Sequence, residues 1–477
     1  MSRAPLQLGL AALFLAIFTW VGLFALTDAD PIVGQAVGST PTTTTTTTLP
    51  TTSTSATAST ASLASTTTTA RARQVDVEVF PEGSTAELRL SGASGESITG
   101  SGSLTATLAG DAELVVEAEG YRTETIELTD DVAGNVDVWL DPPDQVVDRR
   151  MVFSTGSAPK QVAFTPDASE LWVTLLGGSG LEAYDPLTGE LIAAIDLPEA
   201  GSVEVIFDTR GEKAYVSQME TASVYEIDVA THSVDRQLLT EGSWTKVMVL
   251  SADGSRLWAS NWVSNDVSEF DLETGEMVRR LPTVATPRGL AVDPESTRLY
   301  VAGYDAGDIE VIDLASGEAS TIHHSGGALR HLAARPAAGL IYASDMALDT
   351  IFVIDTATDT VSTMGTTDRL PNTIDLSPDG RFLAVSNRGR NNPESYYLPG
   401  PEWGSILLLD TTDGTVLDAI VGGNQPTGLD ISADGAWLAY SDFLDNRVTV
   451  LALPTTEELL AAGGGRADSY QAQLNKG

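Results

Sequence analysis

The chain has 477 residues, no cysteine, and a net charge of −40 from 66 acidic against 26 basic side chains. Without cysteine, disulfides, thiolate metal sites and cysteine nucleophiles are excluded. The acidic balance argues against nucleic acid and against anionic lipid surfaces, since both partners require a basic footprint. The length and a hydrophobic content of 42% suit two or three folded domains.

An apolar run at residues 6–26 follows one arginine and precedes two aspartates. Its length suits a membrane-spanning helix, and the flanking charges place the N-terminus inside. We therefore expect residues 1–30 to form a membrane anchor, with a single pass and the C-terminal part outside the cell membrane. A signal peptide cleaved near residue 28, giving a secreted protein, is the alternative.

Residues 31–73 form a Thr/Ser/Pro-rich stretch that cannot bury a core, which predicts a disordered linker. Residues 74–143 then alternate apolar and polar side chains, which predicts a small β-sandwich. This segment resembles a PEGA domain through Pro81 and Gly83 after its first strand and through Glu119-Gly120-Tyr121. The resemblance implies a spacer or adhesion module without catalysis.

From residue 148 to residue 454 one phrase of about 42 residues recurs, with four short strands in each unit. The second strands end at Thr174, Ser217, Ser260, Ala302, Ser344, Ser386 and Ser441. The third strands end at Asp185, Asp228, Asp271, Asp313, Asp355 and Asp410. Two landmarks with one period predict an all-β fold, a seven-bladed β-propeller.

The last repeat stops after three strands. The segment Asp148–Ser157 reads as the missing fourth strand, and borrowing it closes the ring so that no sheet edge stays free. The tail, residues 455–477, is expected to hold one short helix (TTEELLAA) and then a frayed, Gly-rich end.

The repeats also carry a family resemblance. The phrases LWVT, AYVS, LWAS, LYVA and IYAS, together with the SADG, SPDG and IDxxTG turns, are similar to the YVTN family of seven-bladed propellers. Functions in that family are diverse, so the resemblance implies architecture rather than chemistry.

A ring of basic side chains is predicted at one mouth of the channel. The same position on the connection into each blade holds Lys160, Val203, Lys246, Arg288, Arg330, Asn372 and Thr427. Two of the four lysines of the chain stand in this ring. We expect the ring to attract a carboxylate or phosphate, with Arg288 and Arg330 as bidentate clamps. The alternative is that these cations pair with nearby acids.

One position later in each repeat, Glu204 and His331 are candidates for the acid–base pair of a propeller hydrolase or lyase of lactonase type. They belong to blades 2 and 5, which lie nearly opposite across the channel. A structural or solvated role is therefore favoured for both side chains.

Blade 6 carries about 13 extra residues between its second and third strands, on the face that should carry the basic ring. Aromatic and arginine side chains are typical of recognition surfaces, and an insertion in a regular repeat often maps to the binding face. On this face we expect ligand contacts from Trp262, Tyr304, Arg388, Arg390, Tyr396, Tyr397 and Trp403, beside Arg330.

Four histidines and no G-x-S-x-G or phosphate-binding loop give no basis for a metal site or a cofactor. The sequence thus favours a non-enzymatic, membrane-anchored, extracytoplasmic binding protein for an anionic small molecule, a glycan or a cell-envelope protein. One alternative is a lactonase-like hydrolase or lyase that uses Glu204 and His331 with a divalent ion. The other alternative is a structural cell-envelope component.

Overall fold

The computed structural model describes residues 72–80, 86–92, 97–129, 134–462, 464, 466 and 469–476. The anchor or signal segment at 6–26 and the Thr-rich linker up to residue 71 lie outside these described residues. The expected end of the linker at residue 73 is too late, because a strand begins at Arg73. Among the described residues, no helix is long and apolar enough to cross a membrane. The chain divides between Pro142 and Pro143 into two compact units.

The N-terminal unit is a single seven-stranded sheet in the order β6-β5-β2-β3-β4-β1-β7. Its strands are β1 (Arg73–Phe80), β2 (Glu87–Gly92), β3 (Ser97–Ser101), β4 (Ser103–Leu108), β5 (Ala112–Glu117), β6 (Glu124–Leu128) and β7 (Gly134–Trp139). All neighbouring strands are antiparallel except β1 and β7, which pair in parallel.

The two halves of this sheet share one core, although they form one sheet and not the two sheets that a sandwich requires. β3 and β4 pair only through Ser101 and Ser103, so the ladder is nearly interrupted there. Alternate residues of β1 and of β2, such as Val77 and Leu88, enter the same cluster. The alternation predicted from sequence is confirmed, and membership in the PEGA family stays a prediction.

The second unit contains seven four-stranded antiparallel sheets, the blades. Blades 1 to 3 are formed by β9 (Pro159–Phe164), β10 (Leu171–Leu175), β11 (Ser179–Tyr184) and β12 (Leu191–Ala200); β13 (Ser202–Phe207), β14 (Lys213–Gln218), β15 (Ser223–Asp228) and β16 (Ser233–Leu239); and β17 (Thr245–Leu250), β18 (Arg256–Asn261), β19 (Asp266–Asp271) and β20 (Met277–Pro282).

Blades 4 to 6 continue the pattern around the ring. They are formed by β21 (Pro287–Val292), β22 (Arg298–Gly303), β23 (Asp308–Asp313) and β24 (Ala319–His324); β25 (Leu329–Arg335), β26 (Leu340–Asp345), β27 (Thr350–Asp355) and β28 (Thr360–Thr366); and β29 (Pro371–Leu376), β30 (Phe382–Asn387), β31 (Ser405–Asp410) and β32 (Val416–Val421). A short 3-10 helix, Pro336–Ala338, joins β25 to β26.

Blade 7 closes the ring with strands from both ends of the unit. It combines β33 (Pro426–Ile431), β34 (Trp437–Asp442) and β35 (Arg447–Ala452) with β8 (Asp148–Ser154) as its outer strand. The borrowed strand predicted from sequence is therefore present and ends three residues earlier. Each first strand contacts the first strands of both neighbouring blades, including β33 against β9.

A hydroxyl side chain at the next-to-last residue of most second strands explains the first landmark of the repeat. Ser260 Oγ accepts the backbone N–H of Val247 in its own blade, at 3.1 Å, and donates to the carbonyl of Arg288 in the next blade, at 3.0 Å. The same two bonds occur at Thr174, Ser217, Ser344, Ser386 and Ser441. Each hydroxyl therefore satisfies buried backbone groups and joins two blades.

The aspartate that ends the third strands explains the second landmark. Asp313 Oδ1 accepts the backbone N–H groups of Ala315 and Ser316, at 3.1 and 2.7 Å, and so closes the turn to the fourth strand. Turn N–H groups are accepted in the same way at Asp185, Asp228, Asp271, Asp355 and Asp410. This side-chain turn accounts for aspartate at that position.

The C-terminal tail begins with helix α1 (Thr456–Ala462), as expected. The expectation of a frayed end beyond it is wrong for the described residues. Arg466 is 1% exposed and donates to the Ala419 carbonyl at 2.5 Å, and Tyr470 is 2% exposed in the 3-10 helix Tyr470–Leu474. Buried polar and aromatic anchors hold the tail against blade 6, a contact that the glycine content of the segment does not reveal.

Candidate functional site

The central channel is almost filled where the first strands begin. The cavity there measures about 20 Å³, roughly room for one water molecule. It is lined by Lys160, Gln161, Val203, Glu204, Val247, Arg288, Arg330, His331, Asn372, Thr373 and Thr427. The basic ring expected on the connections into the blades instead occupies the second residue of each first strand, because those strands begin one residue earlier.

The four basic side chains of the ring are buried. Lys160, Lys246, Arg288 and Arg330 are between 1 and 4% exposed. Lys160 lies 5.2 Å from the Phe443 ring centroid, and Arg288 lies 5.3 Å from that of Trp262. Arg330 donates to Asn372 Oδ1 at 2.6 Å. These cations therefore pack among aromatic and amide groups beneath the surface.

A second ring of large side chains covers the cations. The residue that follows each second strand is at most 9% exposed in every blade, and these residues are Leu176, Met219, Trp262, Tyr304, Met346, Arg388 and Phe443. Lys246 lies 5.6 Å from the Trp262 ring, and Trp262 packs on Tyr304 with centroids 5.0 Å apart. The side chains of this second ring therefore pack over the buried cations, mainly through apolar and aromatic groups.

The blade 6 insertion adds to this cover over blade 7. Tyr396 stacks over the Arg388 guanidinium at 4.0 Å and lies 5.6 Å from the Phe443 ring. Gln425 Nε2 donates to the Tyr396 carbonyl at 2.8 Å. Tyr397 is 39% exposed. The described contacts hold this part of the insertion against Phe443 and Gln425, not against Arg330 as the sequence suggested.

The ends of the insertion contact the tail. The Trp403 ring centroid lies 4.2 Å from Lys476 Nζ. The backbone N–H of Trp403 donates to the Leu474 carbonyl at 2.8 Å. Arg390 pairs with Glu402 and is mostly exposed. Arg390 and Trp403 both border a cleft of about 550 Å³ between blade 5, the insertion and the tail. Arg390 and Trp403 are thus separated from the buried cations by their position at this cleft.

The channel widens where the first strands end. The cavity at this end measures about 400 Å³ and shares Glu204, Val247 and His331 with the narrow part. Its walls are largely apolar, from the first strands of blades 2 to 6, and the polar side chains among its lining are Glu204, Asp293, His331 and Asp375. We call this cavity the wide pocket. An apolar pocket with few convergent polar groups is the usual form of a ligand site.

Glu204 and His331 meet across the channel, which corrects the expectation that blades 2 and 5 hold them apart. His331 Nε2 lies 4.0 Å from Glu204 Oε1. The channel is narrow enough for side chains from opposite blades to touch. Gly289 lets the first strands of the neighbouring blades 4 and 5 approach closely, because a Cβ there would lie 2.8 Å from the backbone nitrogen of Leu332.

Two further carboxyl groups lie in neighbouring blades: Asp375 lines the wide pocket, and Asp430 is at the same strand position in blade 7. Asp375 accepts the N–H of Ile431 at 2.9 Å, and Asp430 accepts the N–H of Phe164 at 2.7 Å. The two carboxyl groups are hydrogen-bonded to each other, and desolvation by burial raises the pKa of both. A neutral carboxyl group can donate a hydrogen bond that a carboxylate cannot.

The aspartate pair was missed at the sequence level, although the registered repeat holds a signal for it. At the fifth residue of the first strand, the other five blades carry Ala163, Ile206, Val249, Ala291 and Ala333. The cross-strand partner is aromatic in those blades and is Ala384 or Ala439 in blades 6 and 7. In blades 6 and 7, an aspartate therefore stands in place of an apolar residue, and its cross-strand partner is alanine instead of an aromatic residue.

The wide pocket therefore gathers one imidazole and several carboxyl groups against apolar walls. This set can accept, donate and transfer protons, which is the chemistry of general acid–base catalysis. Within the described ranges, no group of three or more histidine or acidic residues is placed to hold a metal ion.

A family model described as "Lactonase, 7-bladed beta-propeller" matches residues 149–326. Antigen Lp49 of Leptospira interrogans serogroup Icterohaemorrhagiae serovar copenhageni (strain Fiocruz L1-130) is 33% identical over 312 residues, which cover 62% of this chain and 68% of the relative. Kuenenia stuttgartiensis hydrazine synthase aligns with a TM-score of 0.54 and 19% identity over 63% of this chain and 97% of that one, a likeness of fold alone.

Proposed function

We propose that this protein hydrolyses a small cyclic ester in the wide pocket. The chain belongs to the lactonase/YVTN-like family of seven-bladed β-propellers. The observation that carries the proposal is the environment of His331. Its Nε2 faces Glu204 at 4.0 Å, and its buried Nδ1 has no hydrogen-bond partner among the described residues. A buried polar atom without a partner invites a water molecule or a ligand atom.

The geometry suits a base oriented by a carboxylate. Glu204 favours the tautomer that carries its proton on Nε2, which leaves the lone pair on Nδ1. Nδ1 can then remove a proton from a water molecule as that water adds to the ester carbonyl carbon. A separation of 4.0 Å is longer than a hydrogen bond, and such contacts shorten when a ligand fills the site.

The ring-ester class comes from the family description, and the size of the pocket agrees with it. A volume of about 400 Å³ accommodates a small molecule, and its apolar walls suit a carbon ring. Asp293, which also lines the pocket, is engaged by Arg298 at 3.2 Å. Glu204, His331 and Asp375 are thus the polar groups that we assign to the ligand.

The test is hydrolysis of δ-valerolactone and dihydrocoumarin, followed as acid release at constant pH. We expect turnover by the wild-type protein, and a loss of about 10²–10⁴-fold in kcat in His331→Ala. Glu204→Gln keeps the shape of the partner and removes its charge, so it should lower kcat with a smaller effect on KM. The proposal fails if the wild type releases no acid from either ester, or if His331→Ala retains full activity.

Binding of an anionic ligand without catalysis is the second candidate. It is supported by the five buried cations Lys160, Lys246, Arg288, Arg330 and Arg388, gathered at one end of the channel. Inorganic phosphate titrated into the protein should then raise the melting temperature of the wild type and not of Arg288→Met. The exposed Arg210→Met serves as the matched control, since Arg210 is 73% exposed on blade 2.

An exported location, with a membrane anchor at residues 6–26 and envelope partners, is part of this proposal. The relative is named an antigen, and an extracytoplasmic chain agrees with that name. The mass of the mature N-terminus separates the alternatives. A chain that still contains residues 6–26 and fractionates with membranes supports the anchor, whereas a chain that begins near residue 30 supports a cleaved signal.

A further inference from the structure

Asp375 and Asp430 form a carboxyl pair at the edge of the wide pocket. Asp375 lines the pocket together with His331, and Asp430 lies beside it in the next blade. Their orientation is fixed by backbone groups. Asp375 accepts from Leu376 and Ile431, at 2.8 and 2.9 Å, and Asp430 accepts from Phe164 at 2.7 Å.

Two carboxyl groups in direct hydrogen-bond contact cannot both be ionised without strong repulsion, so the pair retains one proton. The titratable groups that face the pair are Glu204, whose charge favours the proton on Asp430, and His331, which lines the pocket beside Asp375. Asp293, on the pocket wall, is neutralised by Arg298. The proton therefore belongs to the pair as a unit.

We propose that this pair is the general acid of the wide pocket, with Asp375 passing the shared proton to the oxygen that leaves when a ring ester opens. The proposal rests on the hydrolytic function proposed above. Asp375 is the member that lines the pocket, so it can touch the ligand, and Asp430 supplies the proton behind it. Asp430 is in this sense a positioning residue.

The step balances with the groups present. His331 Nδ1 takes a proton from water, and the hydroxide oxygen forms a bond to the ester carbonyl carbon. The bond between that carbon and the ring oxygen then breaks, and the ring oxygen takes the proton of the pair. His331 returns its proton to the pair, and the hydroxy acid leaves. One water is consumed, and both the base and the acid are restored.

A purely structural role explains the pair less well. The backbone N–H groups of Phe164 and Ile431 would be satisfied equally by asparagine side chains, without repulsion between neighbouring acids. Five other blades are held together without an acid at this position. Costly, pKa-shifting placements of this kind cluster at functional sites.

The leaving group provides the decisive experiment. δ-Valerolactone releases a strongly basic alkoxide and needs an acid, whereas dihydrocoumarin releases a weakly basic phenoxide and needs little help. We expect Asp375→Asn and Asp430→Asn to lower kcat on δ-valerolactone by about 10²–10⁴-fold and on dihydrocoumarin by less than about fivefold. Equal losses on both esters, or no loss on either, would overturn the assignment.

The shared proton has a readout that does not depend on turnover. The wild type at neutral pH should show the infrared C=O stretching band of a protonated carboxylic acid, and Asp430→Asn should lose it. Absence of that band overturns the acid pair while hydrolysis by His331 can still stand. Conversely, full activity of His331→Ala contradicts the hydrolytic function. The role of the pair as general acid is then also contradicted, even if the infrared band is observed.

Discussion

Ser441 in blade 7 donates its hydroxyl to the carbonyl of Lys160 in blade 1, at 3.5 Å, and accepts the N–H of Gly428 at 2.9 Å. The ring is therefore closed by the same contact that joins five other pairs of blades. The junction between blades 4 and 5 departs from this pattern, because Ala302 stands where the hydroxyl should be. The repeat thus contains its own natural comparison.

Removing one of these hydroxyls should destabilise the propeller. In Ser386→Ala, the N–H of Thr373 and the carbonyl of Thr427 lose buried partners at 3.1 and 3.0 Å, which costs about 1–3 kcal/mol. The denaturant midpoint should fall without change of slope. In the reverse change, Ala302→Ser, we expect a gain of up to about 1 kcal/mol. An unchanged midpoint in Ser386→Ala would contradict this account.

The fold was predictable because the landmarks carry structural duties in every blade. A hydroxyl that satisfies a first-strand N–H and an aspartate that closes a turn must recur at the blade period, so both are visible in sequence. Contacts made once are not visible in this way. Burial of Arg466 depends on the Ala419 carbonyl and on Asp144, which are distant in sequence.

The candidate site was only partly predictable, because the sequence does not give the distance between side chains on opposite sides of the channel. The repeat placed Glu204 and His331 at equivalent positions, but blade order alone does not tell how wide the channel is. The two side chains lie 4.0 Å apart, and no pattern within a single repeat encodes a distance between opposite blades. Likewise, sequence identified the basic ring and could not reveal that Trp262 and Phe443 cover it.

The order of the blade 6 insertion should depend on Tyr396 and not on Tyr397. Tyr396 is 9% exposed between Arg388 and Phe443, whereas Tyr397 is 39% exposed. Loss of a buried aromatic ring costs about 3–5 kcal/mol when the site cannot collapse. We expect Tyr396→Ala to speed amide hydrogen exchange in residues 388–404 markedly, and Tyr397→Ala to leave it nearly unchanged. Similar exchange in both variants would show that the insertion is held elsewhere.

The tail should stabilise the propeller through Arg466. This guanidinium is 1% exposed and contacts the Ala419 carbonyl, Asp144 and Gln473. Arg466→Ala leaves the buried Ala419 carbonyl unsatisfied and removes the ion pair with Asp144, so we expect a loss of about 2–4 kcal/mol.

The matched control is Arg381→Ala, which breaks the exposed pair with Glu457 and should cost less than about 1 kcal/mol. Thermal unfolding of the two variants side by side measures the difference. If Arg466→Ala and Arg381→Ala have the same melting temperature, the described contacts of the tail do not stabilise the propeller.

The acid pair should make stability fall as the pH rises. Desolvation raises the pKa of Asp375 to about 6 and that of Asp430 also above its ordinary value near 3.8. The folded pair then binds protons that the unfolded chain releases from about pH 4 upward. The stabilising contribution is full below pH 4 and falls as the Asp375 carboxyl group ionises near pH 6, while the proton shared with Asp430 stays bound to higher pH. Asp430→Asn removes the repulsion, so its melting temperature should rise relative to that of the wild type between pH 4 and pH 7.

At the exposed turn, Asp253→Asn should give no such relative rise, because hydrogen bonds lower the pKa of Asp253 to about 2. A constant difference between wild type and Asp430→Asn over this range would show that the pair holds no proton.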